Sequence, residues 1–108
     1  MDRRVRTVVE LLDAEWRLSL RVPELATRVG LGASRLEHLF KSDTNISIRQ
    51  FLCERRLREA STLLATTEER ISTIAYAVGY TDISNFNHAF KRRYGVSPRE
   101  YRTRAHES

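Results

Sequence analysis

The chain has 108 residues, 41% hydrophobic and 31% charged, which is enough for one compact domain or two fused small modules but excludes a large internal active site. Its 19 Lys and Arg residues outnumber its 14 Asp and Glu residues, and the resulting charge of +5 suits a polyanion such as nucleic acid or an anionic membrane surface. No stretch is apolar for long enough to be a signal peptide or a membrane span, so we expect a soluble cytoplasmic protein with no membrane partner.

The first part of the chain is typical of three helices. Apolar residues recur at helical spacing from Val5 onward and predict an amphipathic packing brace over about residues 3–15. Pro23 in a first turn and Gly30 as a left-handed stop bound a short second helix. Ser34, with Glu37 three residues later, has capping-box spacing and predicts the start of a third helix that runs to about residue 44.

A long central helix follows. Ser47 and Gln50 form a second capping box, and apolar positions continue from there to about residue 66. Cys53 lies on this helix and is the sole cysteine, so no internal disulfide can form. We interpret Cys53 as a small buried hydrophobe in a reducing compartment.

Three more helices are predicted in the second part. The fifth covers about residues 72–78 and the sixth about residues 83–94, and a glycine follows each of them. Ser97, Pro98 and Glu100 form a third capping box that opens a short last helix, and the tail 106–108 is expected to have nothing to pack against. No strand alternation of convincing length occurs, so the fold class is all-α with about seven helices.

The sequence repeats itself. VGLGASRLEHLFKSDTNISIRQF begins at Val29, and VGYTDISNFNHAFKRRYGVSPREY begins at Val78, 49 positions later. Phe40 and Phe90, further along the two copies, are 50 positions apart, so the second copy has one extra residue in the turn before Ser84. Polar and apolar positions both match at this fixed offset, which indicates a duplicated unit.

Each copy combines a short helix, a glycine turn and a second helix with a polar face, the arrangement of a helix-turn-helix. The sequence therefore predicts two helix-turn-helix subdomains, 1–46 and 67–108, joined by a linker helix over 47–66. A linker of about 20 residues at 1.5 Å each is roughly 30 Å long, close to the ~34 Å between successive major-groove faces of B-DNA. We therefore expect one monomer to place two recognition helices in adjacent major grooves.

Helical geometry turns one polar face of each second helix outward, because Leu36, Leu39 and Phe40 define the inward direction in one copy and Phe86, Ala89 and Phe90 in the other. The candidate DNA-binding residues are Ser34, Arg35, Glu37, His38, Lys41, Ser84, Asn85, Asn87, His88 and Lys91.

These side chains suit a DNA groove. Asn pairs with adenine, Glu accepts from the cytosine amino group, Ser contacts bases or phosphate, and His donates to guanine or phosphate. Glu37 stands where the second copy has Asn87, so we expect an asymmetric site. Neither His38 nor His88 has a His or Cys three or four residues later, so we expect no metal site. No phosphate loop or paired nucleophile and base is found, so we expect neither catalytic residues nor a cofactor, and no enzyme.

The segment IAYAVGYTDISNFNHAFKRRYGVSPREYR, with LATRVGLGASRLEHLFK and RRLREASTLL, resembles the DNA-binding domain of the AraC/XylS family of bacterial transcription regulators. The resemblance covers about residues 5–102. It implies that helices 34–41 and 84–91 are recognition helices for sequence-specific binding of double-stranded DNA, in transcription regulation at the nucleoid. The base contacts that it implies come from Ser34, Glu37, His38, Ser84, Asn87 and His88.

The chain also departs from the family pattern. Many members have Arg where this chain has His38 and His88, and a neutral imidazole binds phosphate or guanine more weakly than a guanidinium. Arg21 replaces the small capping residue that is usual before the second helix. Family members usually add an N-terminal effector-binding or dimerisation domain, and a start so close to a helix favours a fragment over a stand-alone member.

The sequence is also compatible with a different class of function. The paired helices would also suit a protein-interaction module that docks on RNA polymerase or an adaptor, and both roles can coexist in an activator.

Overall fold

The computed structural model describes residues 1–107. Over that range the chain forms seven helices and no strand, which confirms the all-α prediction. The helices are α1 (Arg3–Glu15), α2 (Val22–Arg28), α3 (Ala33–Thr44), α4 (Ile48–Thr66), α5 (Ile71–Ala77), α6 (Ile83–Tyr94) and α7 (Pro98–His106). The chain divides into two compact units, Met1–Arg55 and Arg56–Ser108, and the boundary falls inside α4. None of the helices within 1–107 is both long and apolar enough to cross a membrane.

The core of the first unit is formed by α1, α2, α3 and the beginning of α4. Its buried side chains are Val5, Val8, Leu12, Leu25, Ala26, Leu36, Phe40 and Ile48. The three that come from α1 are spaced three and four residues apart, so they lie on one face of that helix. This face packs against α3, as expected of a brace.

Two arginines cover the end of α1. The guanidinium groups of Arg17 and Arg55 lie 4.8 and 5.1 Å from the ring of Trp16, which is only 5% exposed. Arg55 Nε also donates to Asp13 Oδ1 at 3.0 Å. Stacked guanidinium groups and one ion pair thereby fix the first part of α4 against α1.

The start of α1 is fixed to the end of α3. Asp2 caps α1 by accepting a hydrogen bond from the Arg4 backbone N–H at 2.7 Å, and its own backbone N–H donates to Asp43 Oδ2 at 2.7 Å. Hydrogen bonds from the Arg4 side chain and backbone lower the pKa of Asp2 to about 2. Asp2 therefore stays ionised as a cap in more acidic solution than an ordinary aspartate would.

The core of the second unit repeats this plan with more aromatic residues. Its buried apolar side chains are Leu57, Ala60, Leu64, Ile74, Ala75, Val78, Phe86, Phe90 and Pro98. Phe90 meets Tyr101 edge-on with ring centroids 5.4 Å apart, and Phe40 meets Phe51 in the same way at 5.9 Å in the first unit. Both rings of one pair lie 50 positions after those of the other, so the duplication extends to the core geometry.

The C-terminal residues contact the end of α4. Arg102 Nε donates to the Leu64 carbonyl at 3.2 Å, and His106 Nε2 lies 3.2 Å from the Ala65 carbonyl. The expectation that the tail 106–108 packs against nothing is therefore wrong for His106, which lies within α7. A partner 41 residues earlier in the chain cannot be found by local sequence reasoning. Ser108 lies outside the described residues.

Of the three predicted capping boxes, the structure confirms the one at Ser47 and the helix start at Ser97, and it contradicts the one at Ser34. Gln50 N–H donates to Ser47 Oγ at 3.1 Å and Ser47 N–H donates to Gln50 Oε1 at 2.9 Å, which confirms the box of α4. The Glu100 N–H donates to Ser97 Oγ at 3.1 Å and confirms the start of α7. The box predicted at Ser34 is wrong, because α3 begins at Ala33 and its N-cap residue is Gly32. Ser34 therefore already has helical geometry and cannot act as the cap.

Candidate functional site

The turn between the two helices of each copy has the same hydrogen-bonding geometry. Gly30 has a φ of +71° and Gly79 a φ of +102°, which confirms both as left-handed helix stops. Beyond each glycine a backbone N–H returns to a carbonyl five residues earlier, from Leu31 to Ala26 at 2.9 Å and from Tyr80 to Ala75 at 3.0 Å. This is a Schellman motif, and it directs the chain into the next helix in the same way twice.

The extra residue of the second copy is Thr81. The last turn residues Leu31 and Tyr80 are 49 positions apart, but the N-cap residues Gly32 and Asp82 are 50 positions apart. Asp82 Oδ1 accepts from the Asn85 N–H at 3.0 Å, whereas Gly32 has no side chain with which to cap. The insertion therefore lengthens the turn without changing the helix that follows.

The helices after the turns, α3 and α6, are both 12 residues long and have the same order of exposed and buried positions. Leu36 and Phe40 in α3, and Phe86 and Phe90 in α6, are 0% exposed. All ten candidate residues are exposed: Ser34, Arg35, Glu37, His38, Lys41, Ser84, Asn85, Asn87, His88 and Lys91. Each unit therefore presents one polar helix face to solvent.

Sequence reasoning missed one further position in each copy. Ser42 lies one turn after His38 on α3, and Arg92 lies one turn after His88 on α6; both are exposed. Ser42 also lines a shallow depression together with Ser34, Glu37, His38 and Lys41. The spacing of four residues from each histidine could have identified Ser42 and Arg92.

An arginine precedes the first helix of each repeated copy, α2 and α5, as its N-cap residue. Arg21 and Arg70 are the N-cap residues of α2 and α5, and neither makes a side-chain capping bond. The predicted departure at Arg21 therefore leaves the α2 start without side-chain capping, and Pro23 in the first turn supports that helix. Of residues 1–107, no three His, Cys, Asp or Glu side chains are grouped in a way that would hold a metal ion.

Comparison with known proteins identifies similar domains. A family described as "Helix-turn-helix domain" matches residues 25–104. The arabinose operon regulatory protein of Escherichia coli is 34% identical over 99% of this chain and 37% of its own length. The Msm operon regulatory protein of Streptococcus mutans is 32% identical over 91% of this chain and 35% of its own length. The chain thus spans about a third of the length of these two curated relatives.

Solved structures share the fold. The C-terminal domain of AraT, a response regulator from Geobacillus stearothermophilus, has a TM-score of 0.86 at 30% identity and covers 94% of this chain and 85% of its own. The matched residues 25–104 include both glycine turns and both exposed helices α3 and α6. This chain therefore belongs to the AraC/XylS family of helix-turn-helix domains.

Proposed function

We propose that this domain binds double-stranded DNA sequence-specifically and regulates bacterial transcription, with α3 and α6 as recognition helices in adjacent major grooves. The observation that supports this most directly is the exposure of equivalent polar side chains on two equivalent helices. The names of its relatives, which are operon regulatory proteins, agree with this role. Binding to chromosomal duplex would place the protein at the cytoplasmic nucleoid.

The exposed side chains have the chemistry for this role. We assign base contacts to the residues nearest the helix N-termini and on the outward row, since these positions of a recognition helix approach base edges. They are Ser34, Glu37, His38, Ser84, Asn87 and His88. The remaining candidates, Arg35, Lys41, Asn85 and Lys91, complete the surface that faces the duplex.

The proposed site is asymmetric. Glu37 accepts from the amino group of cytosine, whereas Asn87 both donates to and accepts from adenine. One monomer therefore reads two dissimilar half-sites. The proposed placement of α3 and α6 in two adjacent major grooves rests on the 19-residue length of α4.

Selection of bound duplexes from a random pool tests the proposal. We expect two dissimilar half-sites about ten base pairs apart, because successive major-groove faces are one helical turn apart. Affinity should fall about 10³-fold or more between 50 and 200 mM salt if six or more phosphates are contacted. Enrichment of one short motif would contradict the two-groove arrangement, and no enrichment at low salt would contradict DNA binding.

Charge reversal separates DNA binding from docking on a protein. Lys41→Glu combined with Lys91→Glu should abolish retention on duplex DNA, because both side chains lie on the proposed surfaces. Arg6→Glu combined with Arg104→Glu changes the net charge equally at exposed positions outside α3 and α6, and it should retain more binding. A docking module for RNA polymerase or an adaptor would instead show equal DNA retention in both double variants.

A further inference from the structure

The two candidate recognition helices differ in charge although they match in length and burial. α3 contains two basic residues, Arg35 and Lys41, and two acidic residues, Glu37 and Asp43. α6 contains three basic residues and no acidic residue. The difference is concentrated at equivalent positions, where the order Lys-Ser-Asp at 41–43 corresponds to Lys-Arg-Arg at 91–93.

Part of this charge difference is explained by contacts within the protein. Arg93 stacks over the ring of Tyr94 at 4.9 Å, and Asp43 accepts the hydrogen bond from the Asp2 backbone. Basic residues in a last turn also favour a helix through its dipole. Yet α3 is also 12 residues long and has only one basic residue in its last turn. A helix of this length therefore does not need three basic residues to offset its dipole.

Neither a contact among the described residues nor the helix dipole explains the charge of Arg92 in this way. It is exposed and lies one turn after His88, on the outward row that begins at Ser84. The equivalent row of α3 ends at Ser42, which carries no charge. At this end of a recognition helix the nearest DNA groups are phosphates, since base edges are contacted from the N-terminal part.

Lys41 and Lys91 occupy equivalent positions in unequal surroundings. Glu37 lies one turn before Lys41 and Asn87 lies one turn before Lys91, so only Lys41 has a neighbouring carboxylate on its own helix face. A nearby carboxylate lowers the local positive potential and repels phosphate. The same lysine therefore attracts a DNA backbone more weakly in α3 than in α6.

We infer that the two helices contribute unequally to binding: α6, besides its base contacts, supplies most of the sequence-independent attraction to phosphate through Lys91 and Arg92, while α3 contributes chiefly discrimination of sequence through Glu37. This inference rests on the proposed DNA binding. The Glu37 carboxylate is repelled by phosphates and is compensated only where a base amino group donates to it. A mismatched site therefore loses a hydrogen bond and retains the repulsion.

The test measures the affinity of the full chain for two duplexes of about 30 base pairs, enough for two helical turns and flanks. One contains a site enriched from a random pool, and the other is a scrambled duplex of the same composition. Lys91→Gln and Arg92→Ser should each weaken binding to both duplexes by a similar factor and lower the salt slope by about 1. Lys41→Gln, the matched control, should change the slope less.

Two further variants test the part of the inference that concerns α3. Ser42→Arg, which gives α3 the residue that α6 has at the equivalent position, should raise affinity for both duplexes and increase the salt slope by about 1. Glu37→Ala should strengthen binding to the scrambled duplex and weaken binding to the enriched site, because it removes the repulsion and the base contact together.

The outcomes separate the inference from the proposed function. If the wild-type chain binds neither duplex at low salt, the proposed function fails. If it binds with a normal salt dependence but Lys41→Gln and Lys91→Gln lower the slope equally, the inference fails and DNA binding stands. The inference also fails if Glu37→Ala weakens binding to both duplexes alike, or if Ser42→Arg leaves both affinities unchanged.

Discussion

At the residue scale, the two turn glycines differ in their surroundings. Both have positive φ, but a Cβ at Gly79 would lie 3.0 Å from Arg56 Nε, whereas a Cβ at Gly30 would have nothing within 4 Å. Arg56 Nε is buried and has no hydrogen-bond partner among the described residues, and its closeness to the Cβ position of Gly79 places the Arg56 side chain against the second turn. The conformation of the backbone restricts both positions, and packing further restricts Gly79.

We therefore expect Gly79→Ala to lower the free energy of unfolding more than Gly30→Ala does. The left-handed conformation alone costs a non-glycine residue about 1–2 kcal/mol, and displacement of Arg56 adds to that cost at Gly79. Urea unfolding followed by circular dichroism measures the difference. Asn tolerates this conformation better, so Gly30→Asn should recover most of the loss and Gly79→Asn should not. Equal losses for the two alanine variants would show that the Arg56 contact is unimportant.

At the scale of elements, α3 and α6 are equivalent helices with unequal N-caps. Asp82 accepts from the Asn85 N–H, while Gly32 leaves the first N–H groups of α3 without a side-chain partner. Gly32 has extended backbone angles and open space around its α-carbon, so a larger residue fits there. The start of α6 is thus the better stabilised of the two.

Removal of the side-chain cap of α6 and addition of one to α3 should shift stability in opposite directions. Asp82→Ala should destabilise the second unit by about 1 kcal/mol, and Gly32→Ser should stabilise the first by a few tenths of a kcal/mol, on the order of the difference between these caps in other helices. Amide hydrogen exchange at the N-termini of α3 and α6 is the measurement. Unchanged exchange at Asn85 in Asp82→Ala would contradict the capping role.

Element positions were largely predictable because their signals are local. The apolar spacing of α6 and the glycine after it predicted its bounds, 83–94, and the Ser47–Gln50 pair predicted the start of α4. The misplaced cap at Ser34 arose because a serine and a glutamate with box spacing also occur inside a first turn. The contact of His106 with α4 depends on the tertiary fold, to which spacing along the chain gives no access.

At the scale of the whole molecule, the chain contains two cores. The first part of α4 contributes Ile48 to one of them, and its later part contributes Leu57 and Leu64 to the other. Leu12 is fully buried in the first unit and Leu64 in the second. Each unit therefore has a large apolar side chain whose removal leaves a cavity in that unit alone.

Leu12→Ala should destabilise the first unit by about 2–5 kcal/mol, the usual cost of a large-to-small change in a core. Amide exchange should accelerate in α1, α2 and α3 before it accelerates in α5, α6 and α7. Leu64→Ala is the converse control and should reverse that order. A uniform acceleration throughout the chain in either variant would mean that the two cores unfold as one cooperative unit.

The matched burial of α3 and α6 also bears on how such a protein evolves. Glu37 and Ser42 are exposed and differ in chemistry from their equivalents Asn87 and Arg92, whereas the buried equivalents of these helices stay large and apolar, Leu36 with Phe86 and Phe40 with Phe90. Substitutions at exposed positions usually change stability by less than about 0.5 kcal/mol. The exposed face of either copy can therefore change by mutation with little effect on stability, so that a new surface preference can arise in one copy while the other copy keeps its own.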